Sequence, residues 1–173
     1  MELYVHIPFC IRKCQYCDFL SAPSDKSTRE AYVQALLREI RSYAGKVSSG
    51  VTSVFIGGGT PSVLEPEWIS EIMEAIEETF WLTEDAEITM EANPGTVTEA
   101  GLRSYRTCGI NRLSLGLQST DQEELKILGR IHTYSDFLES YQAARRAGFD
   151  NINVDLMSAL PGQTLETFSD TLK

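Results

Sequence analysis

Short runs of β-branched and aliphatic residues alternate along this chain with longer stretches in which apolar side chains recur every three or four positions. Leu3–Ile7, Ser53–Ile56, Glu87–Glu91, Arg112–Leu117 and Ile152–Leu156 read as strands. Between them, Arg29–Tyr43 places Tyr32, Leu36, Ile40 and Tyr43 at helical spacing, and Trp68–Phe80 repeats the pattern with Ile69, Ile72, Met73, Ile76 and Phe80. Thr98–Thr107 and Tyr134–Ala147 predict further helices, the second followed by Gly148 as a C′ residue. A last helix, Thr164–Leu172, follows the turn at Pro161-Gly162. No low-complexity linker or close repeat interrupts the β-then-α order.

That order requires parallel strands joined by right-handed crossovers, an α/β fold closed or partly closed into a barrel. Parallel strands covered on both faces should be nearly continuous in apolar residues, and SVFIG and RLSLGL come close. The pattern stops after about five β/α units, which would leave a sheet edge exposed. Residues 1–173 are therefore expected to be the N-terminal portion of a longer core domain, with the rest of the barrel and any C-terminal domain absent.

Chemistry in such folds gathers where the strands end at their C-termini, and the unusual residues fall there. GGGTP follows the second strand, EANPG ends the third, GLQS ends the fourth, and Asp155 lies near the end of the fifth. Gly57-Gly58-Gly59-Thr60-Pro61 can let a ligand lie against bare backbone, or can be a tight turn. Glu91 can accept from an ammonium or a ribose hydroxyl, or cap the next helix. Gln118 can bond a carboxylate or ribose, or satisfy a loop backbone. Arg130 can clamp a carboxylate bidentately, or sit solvated at a helix end. Asp155, between Val154 and Leu156 in a buried strand, needs a partner. Together these residues would suit a small zwitterion bearing a sugar.

The net charge of −10, from 25 acidic and 15 basic residues, argues against nucleic acid or an anionic membrane surface as main partner. The N-terminus MELYVHIPFC has no basic signal region, and no apolar run reaches the length of a transmembrane segment. Three of the four cysteines are clustered, unlike a secreted disulfide framework, so a reducing cytoplasmic location is expected.

Cys10, Cys14 and Cys17 form a C-x3-C-x2-C loop in IPFCIRKCQYCDF. Three thiolates are one fewer than a four-iron cluster needs for a cysteine on every iron, leaving one iron open. Ile11, Tyr16 and Phe19 supply apolar cover, and Arg12 and Lys13 offset negative charge. The same spacing allows zinc with His6 or a further cysteine as fourth ligand, or a disulfide between two of the three. Cys108 reads as a small core residue, His6 and His132 as local hydrogen-bonding groups, and Tyr4 as either a pocket border or strand packing.

Taken in order, CIRKCQYC, GGGTP, EANPG, RLSLGLQS, LGRIH and NVDLMSALPGQT resemble the radical S-adenosylmethionine superfamily, from about Leu3 to the last residues. Within it, the chain resembles the anaerobic coproporphyrinogen III oxidase-like family, and most closely its heme-chaperone branch. The resemblance implies that Cys10, Cys14 and Cys17 ligate a [4Fe-4S] cluster whose open iron chelates S-adenosylmethionine. It also implies that Tyr4 and Tyr16 line the cofactor site and that Gly58, Gly59 and Thr60 contact the methionine part. Glu91, Gln118, Arg130 and Asp155 would complete the site. The implied chemistry is reductive cleavage of the sulfonium to methionine and a 5′-deoxyadenosyl radical. Implied partners are heme or a porphyrin, an electron donor of flavodoxin or ferredoxin type, and a heme-receiving apoprotein. Coproporphyrinogen oxidases carry a further cysteine two positions after the third ligand, where this chain has Phe19. The CDF sequence resembles the chaperone branch, with the oxidase as alternative; the family's heme-binding histidine motif would lie beyond Lys173.

Overall fold

The computed structural model describes residues 1–173. Strands β1 (Glu2–Ile7), β2 (Val51–Gly58), β3 (Leu82–Ala92), β4 (Arg112–Gln118) and β5 (Asn151–Leu156) pair in parallel, in sequence order. The expected α/β architecture is present as an open sheet, a partial barrel with β1 and β5 at its edges. The crossovers are α1 (Lys26–Ser42), α2 (Pro66–Thr79), α3 (Glu99–Thr107) and, after a short α4 (Gln122–Ile127), α5 (Tyr134–Arg146). A last helix, α6 (Leu165–Thr171), follows β5.

Local chemistry sets the helix ends. Asp25, Thr98, Asp121, Thr133 and Thr164 each accept a backbone N–H in the first turn of the helix they precede, and Thr133 forms a reciprocal capping box with Asp136. Pro66 opens α2, where its missing N–H costs nothing. Gly148 ends α5 with a positive φ of 94°, as its place after the helical pattern predicts.

Alternation along the strands divides the sheet into two chemically different faces. Val5, Ile7, Val54, Ile56, Ile88, Met90, Leu113 and Leu115 are buried in one core with Ile69, Ile72 and Ile76 of α2, Leu102 of α3 and Phe137 of α5. The opposite, inner face is polar or small toward the strand ends, with Tyr4 and Phe55 stacked nearer the strand starts. Its register aligns Glu91 with Ser114 and Ser114 with Asn153, and sets Gly116 beside Asp155. The near-continuous apolar pattern expected of strands covered on both faces therefore gives way to alternation, because the inner face is where the polar groups converge.

Two details differ from the sequence pattern. The buried stripe of α1 is Val33, Leu37 and Ile40, one position on from the predicted Tyr32 and Leu36, which are only partly buried; Tyr43 is the exposed C-cap. Tyr32 is drawn to the edge of the stripe because its hydroxyl donates to the His6 carbonyl. The other difference is α4, too short to show a period, with Leu125 its one buried apolar residue.

Glu124 of α4 is buried and accepts from Ser119 Oγ at 2.6 Å, Thr167 Oγ1 at 2.8 Å and Gln163 Nε2 at 2.9 Å. These bonds fasten α6 and the turn before it to the rest of the molecule. Glu124→Ala would leave three donors facing an apolar gap and is expected to cost roughly 2–4 kcal/mol. A urea-unfolding midpoint equal to wild type would refute this role.

Candidate functional site

The loops at the C-terminal ends of the strands enclose a cavity of about 350 Å³. Cys10, Cys14, Tyr16 and Cys17 reach it from the β1–α1 loop, with Arg12, Lys13 and Phe19. Gly58, Gly59, Thr60, Glu91, Gln118 and Asp155 reach it from or just beyond strands β2 to β5, and Arg130 from the segment after α4. Of the residues expected to hold the cluster or the cofactor, Tyr4 alone stays out of this lining. It lies nearer the start of β1, about 60% exposed, with its hydroxyl on His6 Nδ1 at 3.0 Å.

The cysteine loop is tied down at several points. Cys10 N donates to Ala22 O at 3.1 Å, Cys17 N to Cys14 O at 3.2 Å, and Gln15 N to Leu128 O at 3.0 Å. The last bond needs Gly129, with φ +74°, because a Cβ there would meet Gln15 at 3.1 Å. The glycine run is also explained by close approach of the protein to itself. A Cβ on Gly59 would lie 2.5 Å from the Phe9 carbonyl, and one on Gly58, with φ +111°, would strike the His6 ring. Glycine there lets the cysteine loop lie against the end of β2.

Three metal and redox readings are open to this donor set. All four cysteines are free thiols, and Cys108 is remote, its Sγ donating to Tyr105 O at the end of α3. No group of three or more His, Cys, Asp and Glu side chains converges on one ion position. A tetrahedral zinc site would hold its sulfur ligands at about 2.3 Å. His6 is no fourth ligand either, since its ring nitrogens meet Tyr4 Oη and the Leu20 carbonyl, each at 3.0 Å. A cluster makes a different demand. Each thiolate takes a separate iron, so the three must spread around a cube. Half-buried thiols lining one cavity with Arg12, Lys13 and Arg130 supply three sulfur donors and positive charge to offset a cluster's negative charge.

Facing the thiols is an anionic and amide wall. Asp155 accepts from Asn153 Nδ2 at 2.7 Å and Ser114 Oγ at 3.0 Å, partners supplied by the aligned strands. Glu91 accepts from Gly58 N at 3.0 Å; burial raises its pKa above the ordinary glutamate value, the Gly58 N–H opposes this, and nearby Asp155 adds to it. Burial likewise raises the Tyr16 hydroxyl pKa. Gln118 enters the cavity because β4 is irregular there: the register shifts after Gly116 and Gln118 takes a φ of +72°.

Sequence reasoning missed Asn93 as a site residue. It lines the cavity and joins Thr60 to Arg130, with Nδ2 2.8 Å from Thr60 Oγ1 and Oδ1 2.6 Å from Arg130 Nη2. Its only signal is its place in EANPG, two residues after Glu91. Ser114 and Gly116 were also hidden, since both look like breaks in an apolar strand.

His132 follows Arg130 and is buried, with Nε2 3.2 Å from the Leu117 carbonyl. Burial, reinforced by the neighbouring guanidinium, lowers its pKa from 6.5 to about 4. Below pH 6.5 the unfolded chain therefore binds a proton that the folded chain refuses. This contribution to stability is complete above pH 6.5 and lost as pH falls toward 4, a total of roughly 3 kcal/mol. Urea unfolding at pH 7.5, 5.5 and 4.5 should show a smaller pH dependence in His132→Gln than in wild type. Identical pH dependences would refute this.

An open α/β sheet with a three-cysteine loop and a polar ring at its strand ends defines a barrel-type α/β protein that gathers thiols and polar groups around one cavity. The radical SAM superfamily model matches residues 4–173, and the chain belongs to that superfamily, within its HemN/HemW-like family. It is 42% identical over 168 residues to the heme chaperone HemW of Escherichia coli (strain K12), covering 96% of this chain and 44% of that protein. HemW of Haemophilus influenzae is 37% identical over 179 residues, covering 100% of this chain and 47% of that protein. Among solved structures, the radical SAM enzyme coproporphyrinogen III oxidase (HemN) from Escherichia coli superposes with a TM-score of 0.88 at 35% identity, over 99% of this chain and 40% of that one. The chain thus spans less than half the length of these relatives. No helix is long and apolar enough to cross a membrane.

Proposed function

We propose that this chain supplies the N-terminal β/α units of a radical SAM core, and that the protein is a heme chaperone which binds heme and passes it to apoproteins in the cytoplasm. Cys10, Cys14 and Cys17 would hold the [4Fe-4S] cluster. Glu91, Gln118, Arg130 and Asp155 would bind and orient S-adenosylmethionine, with Tyr16 over it and the Gly58–Thr60 turn beside it. When bound, the cluster and cofactor supply one-electron cleavage of a carbon–sulfur bond. The carboxylates of Glu91 and Asp155 suit an ammonium or ribose hydroxyls, and the Arg130 guanidinium suits a carboxylate. An electron donor of flavodoxin or ferredoxin type is the expected partner.

The observation that carries the chaperone reading over the oxidase is Phe19. It stands where the oxidases of this family have a further cysteine, lines the same cavity, and is 68% exposed. An exposed aromatic offers a flat apolar face to a macrocycle and cannot supply a thiol. The likeness to HemN supports the second reading, an oxygen-independent coproporphyrinogen III oxidase. Anaerobic incubation of the reconstituted protein with coproporphyrinogen III, S-adenosylmethionine and reductant separates the two. Stable heme uptake without decarboxylation is expected; formation of protoporphyrinogen IX would overturn the chaperone reading.

A further inference from the structure

Between Cys10 and Cys14 runs an unbroken chain of side-chain hydrogen bonds. Thr60 Oγ1 lies 3.5 Å from Cys10 Sγ and 2.8 Å from Asn93 Nδ2. Asn93 Oδ1 lies 2.6 Å from Arg130 Nη2, and Arg130 Nη1 lies 3.5 Å from Cys14 Sγ. The chain therefore begins on one thiol of the cysteine loop and ends on another.

The direction of every bond in it is fixed by what each group can do. A guanidinium has donors only, so Asn93 must turn its carbonyl oxygen toward Arg130. Its amide nitrogen must then face Thr60, whose oxygen accepts that bond. The single hydroxyl proton of Thr60 is left to point at Cys10, and a metal-bound thiolate can only accept. At the other end, Arg130 Nη2 is held by Asn93 and the Gly116 carbonyl, which leaves Nη1 aimed at Cys14. Asn93 is itself anchored: its N–H donates to Ser62 Oγ at 3.4 Å and its carbonyl accepts from Thr96 Oγ1 at 2.7 Å. Thr60 is 2% exposed and its N–H donates to Phe9 O at 2.7 Å, so neither water nor a loop movement readily replaces its bond to Cys10.

We infer that Asn93 is a positioning residue that aims one hydrogen bond at each of two cluster thiolates and thereby sets the cluster's reduction potential. The inference rests on the cluster assignment proposed above. Hydrogen bonds to ligating sulfur stabilise the extra negative charge of the reduced cluster and so raise its potential. No other amino acid of this size offers a donor and an acceptor on the same flat group. Aspartate keeps the acceptor for Arg130 but turns the Thr60 proton toward itself and away from Cys10.

The test is the midpoint potential and electron paramagnetic resonance of the anaerobically reconstituted full chain, with iron and sulfide analysed on the same samples. Asn93→Ala, Asn93→Asp and Thr60→Val should each retain the iron of wild type and shift the potential to more negative values. The Asn93→Asp/Thr60→Val double variant should match Asn93→Asp alone, because the hydroxyl donor is already lost. Potentials and spectra equal to wild type in Asn93→Ala, or additive shifts in the double variant, would overturn the inference. If Asn93→Ala fails to hold the cluster, the Asp and Val variants decide by the same additivity criterion. A wild-type chain that assembles no cluster would instead overturn the cluster assignment itself, and the iron analysis distinguishes that failure from the others.

Discussion

Cys14→Ala is expected to abolish cluster assembly, taking iron content from about four per chain to near zero. Cys14 is the middle thiol of the loop and its carbonyl accepts from Cys17 N, so in the proposed site it would both ligate iron and shape the turn that presents its neighbour. Two remaining thiolates cannot hold three irons. The fold should survive, because the loop lies outside the core built from β1–β5 and helices α1, α2, α3 and α5. Iron analysis together with far-ultraviolet circular dichroism checks both halves of this expectation. A variant that keeps full iron content would show that Cys14 is no ligand; one that loses its secondary structure would show that the loop is needed for folding.

Replacing the acidic wall should separate ligand binding from cluster assembly. Asp155→Asn and Glu91→Gln are each expected to weaken S-adenosylmethionine binding about 10- to 100-fold, the usual effect of losing one hydrogen bond to a charged group. Iron content should stay near wild type, since neither residue touches a cysteine. Glu91→Gln is a mild change for the fold, because its amide oxygen can still accept from Gly58 N. It also removes a carboxylate that burial disfavours, so the variant's stability should not fall. Asp155→Asn keeps an acceptor for Ser114 or Asn153 but loses the charge. Equilibrium dialysis of the reconstituted proteins measures the effect. Affinity equal to wild type in both variants would remove these carboxylates from the ligand site.

Much of this arrangement is legible in the amino-acid order. The strands stand out because their apolar positions are short and bounded by Gly, Pro and Asn, and α2 because Ile69, Ile72, Met73 and Ile76 repeat the helical period and are all buried. The wall residues are visible for a related reason: Glu91, Gln118 and Asp155 interrupt apolar strands just where parallel strands end. What escaped depends on pairings that no single segment encodes. Helix α4 is set by the Asp121 cap and by Glu124 reaching Ser119, Gln163 and Thr167. Gln118 reaches the cavity through a shift in strand register, and Asn93 acquires its place only when β3 brings it between Thr60 and Arg130. Tyr4 illustrates the converse. Strand alternation puts it on the same face as His6, but its place early in β1 leaves it away from the rim where the thiols gather.

In the proposed site the thiols, the carboxylates and the amide relay join in one physical arrangement, in which a cluster with a vacant iron would sit beside a pocket for a charged amino acid. Electron paramagnetic resonance of the dithionite-reduced, anaerobically reconstituted protein, recorded with and without S-adenosylmethionine, tests that arrangement most directly. The expected result is a four-iron signal whose g-values change when S-adenosylmethionine is added. A signal that stays the same at saturating S-adenosylmethionine, or a protein that binds zinc in place of iron, would contradict it.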